Sequence, residues 1–109
     1  MKKTITALAA VAVVTAAAAA PSNGASTRTV ALKDNFFAPK RLSIAKGTTL
    51  KWVWKGQALH NVSVAKGPVT FRASTRKKGH FTHTFTKAGT YTILCTIHAP
   101  DMRMTVTVK

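Results

Sequence analysis

Acidic residues are almost missing from this chain. Glutamate does not occur, and two aspartates, Asp34 and Asp101, stand against 17 Lys and Arg. Cysteine occurs once, at Cys95. A single cysteine cannot form an internal bridge, which excludes the disulfide framework that many small exported domains use to supplement a small core. Beyond the N-terminal segment no window carries apolar residues at helical spacing, which argues against a helical domain. There is no internal repeat and no sign of a second domain. The one long apolar run is short for a membrane span, which takes roughly 18 strongly apolar residues. The shortage of acids also leaves no convincing group to orient Cys95 and His98 as a nucleophile and base, so no enzymatic activity is expected.

The apolar run is N-terminal. Met1-Lys2-Lys3 is a short basic start, Ile5 to Ala20 is dominated by alanine, and small residues precede Pro21. This is the composition of a secretory leader, expected over residues 1–20. No cysteine lies near it to carry a lipid anchor. Residues 21–26 are small and polar and read as a linker. Residues 27–109 then form one domain, expected to be monomeric and exported to a periplasmic or extracellular space. Losing Lys2 and Lys3 would take the formal charge from +15 to +13. Such a balance implies anionic partners, either acidic proteins or an anionic membrane or cell-wall surface. The charges are spread along the chain, with one cluster at Arg76-Lys77-Lys78, and no specific nucleic-acid partner is expected.

The domain reads as short strands. Thr27–Leu32, Arg41–Ala45, Thr48–Lys55, His60–Val64, Phe81–Thr86, Thr90–Thr96 and Arg103–Lys109 are candidates, separated by Gly, Pro, Asn or Asp turns. Thr48–Lys55 is the clearest, with Leu50, Trp52 and Trp54 on one face. Phe36-Phe37-Ala38-Pro39 reads as a loop or edge element, because proline cannot serve a central ladder. Ala65–Lys78 reads as a turn-rich basic connection. Seven to eight short strands at this spacing predict an all-β Greek-key sandwich.

What remains is an unusual set of donors. Cys95 is followed by His98 and then by Met102, and His60 lies 35 positions upstream of Cys95. A lone cysteine in an exported chain calls for an explanation, and a metal supplies one. A thiolate, two imidazoles and a weak thioether suit copper in both of its common oxidation states. His83 shares a face with Phe81 and Phe85 and is expected to pack. His80 follows Gly79 in a basic turn and is expected to be exposed. A zinc site built from Cys95 and histidines is the alternative metal.

In the segments NFFAPKRLSIAKGTTLKWVW, LHNVSV, GHFTHTFTKAGTYTILCTIH and MRMTVTV the chain resembles the small cupredoxins of the plastocyanin and pseudoazurin type. The resemblance implies one type I copper bound by His60, Cys95, His98 and Met102. It also implies that the backbone amide of Asn61 bonds the cysteine sulfur while its side chain ties the two ligand loops together. The implied function is shuttling of single electrons between redox partner proteins, and copper storage or delivery without a redox partner is the alternative. The chain departs from the family pattern in three places. Three residues, Ala99-Pro100-Asp101, separate His98 from Met102, where two or four are common. Met104 stands where a glycine is usual, which makes it a rival to Met102 as axial ligand. Trp54 replaces a small polar residue.

Overall fold

A computed structural model describes residues 26–109, and the expected leader and nearly all of the expected linker lie outside the described residues. Nine strands occur among them: β1 (Thr27–Lys33), β2 (Phe36–Ala38), β3 (Arg41–Ile44), β4 (Thr49–Trp54), β5 (His60–Lys66), β6 (Arg72–Arg76), β7 (His80–Thr84), β8 (Gly89–Leu94) and β9 (Arg103–Val108). They form two sheets, β2-β1-β4-β7 and β3-β9-β8-β5-β6. The fold is the all-β sandwich expected, with nine strands rather than seven to eight.

The inward faces follow the alternation of the sequence. β4 buries Leu50, Trp52 and Trp54 and leaves Thr49, Lys51 and Val53 half-buried on its other face. β9 buries Met104, Val106 and Val108, and β8 buries Tyr91 and Ile93. An aromatic cluster fills the space between the sheets. Trp52 packs against Phe71, Phe81 and Phe85, and Phe85 meets Tyr91 edge-on with ring centroids 5.0 Å apart. Rings of this size bury the most apolar area per residue, and tilted or edge contacts suit their quadrupoles. The Tyr91 hydroxyl donates to the Lys87 carbonyl at 2.9 Å, which satisfies its one polar end.

The two added strands lie at sheet edges. β2 is only three residues long and pairs with β1. β6 falls within the stretch expected to be a turn-rich connection. Its burial shows why: Ala73 alone is buried, and Arg72, Ser74 and Thr75 are exposed. An edge strand needs neither an apolar face nor alternation, and charged side chains protect it from pairing with another chain.

β5 is where alternation fails. His60, Asn61 and Val62 are all buried in succession. The register against β6 shifts between His60 and Val62, and against β8 between Val64 and Lys66. Bulges of this kind re-aim side chains and gather next to functional sites. The second lies toward the far end of β5, and the first lies at the sheet end where β5 begins and β8 finishes.

Candidate metal centre

That end of the sandwich is closed by the segment between β8 and β9. The Cys95 N–H donates to the Met102 carbonyl at 3.0 Å, the His98 N–H to the Cys95 carbonyl at 3.2 Å, and the Met102 N–H to the His98 carbonyl at 3.1 Å. These three bonds fold residues 95–102 into a tight loop. Cys95 and Met102 are fully buried, and His98 is half-buried. His60 reaches the same place from the start of β5 and is also fully buried.

The donor atoms converge. The Cys95 Sγ lies 3.5 Å from His98 Nδ1 and 4.0 Å from His60 Nδ1, and all three atoms lie within 4.8 Å of one another. The Asn61 backbone N–H points at the same sulfur from 3.5 Å. An amide aimed at a thiolate stabilises its charge. The Asn61 side chain bonds on two sides. Its Nδ2 donates to the hydroxyls of Thr75 at 3.0 Å and Thr96 at 2.8 Å, and its Oδ1 accepts from the Thr96 N–H at 2.9 Å. One buried amide therefore binds β5, β6 and the cysteine loop together.

The Met104 sulfur is engaged elsewhere. It accepts the Trp52 indole N–H at 3.5 Å in the buried core. His83 stacks on Phe71 with centroids 3.9 Å apart, and burial pushes its pKa down. His80 is exposed at the start of β7. Neither joins the donor cluster, as expected. A soft sulfur, an imidazole and a buried thioether on one closed loop, with a second imidazole from β5, fit copper, which is served by thiolate in one oxidation state and by imidazole in both.

A cupredoxin-like domain model matches residues 4–108. The chain belongs to the cupredoxin family. Solved structures agree with this assignment. A reduced Cu(I) form of an amicyanin variant at pH 4 is 30% identical, with a TM-score of 0.66, over 74% of this chain and 80% of that one. The copper-containing nitrite reductase NirK from Thermus scotoductus is also 30% identical, with a TM-score of 0.65, but this cupredoxin spans only 24% of that chain. A purple cupredoxin from Nitrosopumilus maritimus shares the fold at 23% identity and a TM-score of 0.66. Among curated protein sequences there is no match. The His-Cys-His-Met set is that of a type I copper site.

Two residues at the site had no role assigned to them from the sequence. Asp34, in the turn after β1, accepts the backbone N–H of Ala58 at 2.9 Å and of Gln57 at 2.8 Å, and it meets His60 Nε2 at 3.0 Å. The Ala58 and Gln57 amides, and then the His60 ring, hold its carboxyl down at about 2. Trp54 is the second. Its indole N–H donates to the His60 carbonyl at 2.9 Å, and the Arg76 guanidinium covers its ring at 4.9 Å. The pairings are between residues 26 and 6 positions apart, joined across strands, and no local motif marks either of them.

Proposed function

We propose that this cupredoxin is an exported carrier of single electrons, with its copper held by His60, Cys95, His98 and Met102. The observation that carries the reading is the convergence of three donor atoms within 4.8 Å, one of them on a histidine that reaches the surface. Copper bound there supplies a one-electron couple between Cu(II) and Cu(I). The chain's own residues do the rest. Cys95 presents a buried sulfur stabilised by the Asn61 amide. The three backbone bonds of the 95–102 loop and the Asn61 side chain hold the donors in one arrangement, so that a change of oxidation state need not rearrange them. Met102 rather than Met104 would supply the thioether in this reading, because the Met104 sulfur already serves Trp52.

His98 would be the port for electrons. Leu59 and Ile97 are 46% and 48% exposed at this end, and Ala99 and Pro100 are exposed beside them. Together they offer a small apolar contact. Exposed cationic residues lie at the same end of the sandwich: Lys33, Lys55, Lys77, Lys78 and Arg103 stand on strand ends or turns there. Among the described residues no Lys or Arg is paired with a carboxylate. Unneutralised basic charge at the same end as a small apolar contact suits brief encounters with an acidic redox protein, where charge sets the rate of approach.

The test is optical and electrochemical. Purified protein given Cu(II) should become intensely coloured through thiolate-to-copper charge transfer. It should exchange one electron reversibly with an added protein partner. Cys95→Ala should abolish the colour, whereas His80→Ala and His83→Ala should keep it. Colour surviving in the Cys95 variant would overturn the site. Colour in the wild type without reversible exchange would favour copper storage or delivery.

A further inference from the structure

We propose that Asp34 is a positioning residue for His60, fixing the ring tautomer that presents Nδ1 to the metal and biasing the site toward Cu(II); this rests on the copper reading above. Asp34 is one of only two acids in a chain with 17 cationic side chains, yet it contacts a buried histidine of the donor cluster. Its turn requires Asn35 in the left-handed region at φ 78°, which asparagine tolerates better than most residues. That turn brings the carboxylate over the segment leading into β5.

The carboxylate then does two things. Its oxygens accept the Gln57 N–H at 3.0 and 2.8 Å and the Ala58 N–H at 2.9 Å, which pins the approach to His60. The approach is tight, since a side chain at Gly56 would run into Asp34. One oxygen also lies 3.0 Å from His60 Nε2. An ionised carboxylate has no proton to give, so Nε2 must be the donor. In a neutral ring the other nitrogen is then a bare acceptor. That nitrogen is Nδ1, the atom facing the Cys95 sulfur at 4.0 Å. Carboxylate–histidine pairs of this kind orient metal-binding rings and raise their basicity. A more basic imidazole, with a fixed negative charge behind it, favours the more highly charged oxidation state.

The experiment uses the copper-free chain first and then the copper-loaded one. Nitrogen-15 NMR of the imidazoles in the copper-free wild type should show His60 as the Nε2–H tautomer. Asp34→Asn keeps an acceptor oxygen but loses the charge, so the tautomer should persist. Asp34→Ala loses both, and the tautomer should become mixed. With copper bound, Asp34→Ala should lower Cu(II) affinity by about 10–100-fold, as loss of such partners typically does. Asp34→Asn should shift the preference toward Cu(I) by about tenfold, which raises the one-electron potential by about 59 mV. An Nδ1–H tautomer in the wild type would overturn the proposal. So would variants whose tautomer, Cu(II) affinity and potential match the wild type while only stability falls. The NMR arm needs neither metal nor partner, so its result is separable from any failure of the electron-carrier reading.

Discussion

Replacing Asn61 with alanine should separate the strength of the scaffold from the chemistry of the site. The Asn61 side chain is 1% exposed and makes three hydrogen bonds of 2.8 to 3.0 Å, to Thr75 and twice to Thr96. A neutral hydrogen bond contributes about 1 kcal/mol net. The threonines are exposed and can turn to water, which recovers part of the loss. The expected destabilisation is therefore about 2–3 kcal/mol. For a domain of this size that lowers Tm by roughly 10–20 °C. The backbone N–H directed at the Cys95 sulfur survives the substitution, so the thiolate-to-copper band should persist in the folded variant. Urea unfolding of the copper-free protein gives the stability, and a lower midpoint at unchanged slope identifies a loss of folded-state contacts. Absorption of the Cu(II) form gives the site. A destabilisation below about 0.5 kcal/mol would refute the view that this amide fastens the loops. A lost band in a protein of undiminished stability would refute the division between side chain and backbone.

Other outcomes follow from the same geometry. Met102→Gln should keep copper bound and shift the reduction potential, because the axial donor tunes the site. Met104→Gln should instead weaken folding, since it puts an amide where Trp52 donates to sulfur in the core; a potential shift confined to the Met104 variant would reverse the assignment. Burial depresses the His83 pKa in the folded state, so its protonation favours unfolding. Stability should be full above its ordinary value near 6.5 and decline as pH falls below it. His83→Phe should flatten that decline in urea titrations of the copper-free protein, and an unchanged slope would count against it. Electron-transfer rates with an acidic protein should fall as ionic strength rises from 0.01 to 0.1 M, where the Debye length shrinks from about 30 to about 10 Å. Lys77→Gln with Lys78→Gln should weaken that dependence, whereas Arg76→Gln should also loosen Trp54 and lower stability. A salt-independent rate would remove charge steering from the account.

The sequence by itself determined the sandwich and most of the donor set. Alternation in Thr49–Trp54 and Arg103–Val108 marks which residues face inward, because side chains on a strand point to opposite faces in turn. The spacing of Cys95, His98 and Met102 already places three donors on one loop, since a turn of that length cannot separate them. Alternation could not reveal β6, whose position at a sheet edge asks nothing of its side chains except Ala73. It also could not reveal that His60, Asn61 and Val62 are buried together, because a bulge breaks the two-residue period there. The choice between the two methionines needed the packed core, where the Trp52 indole claims the Met104 sulfur. Asp34 needed the tertiary structure most of all. Nothing local distinguishes it from any aspartate in an Asp-Asn turn. Only the folding of β1 beside β4 brings that turn within 3.0 Å of a histidine 26 residues away, and hydrogen bonding acts over that distance and no further.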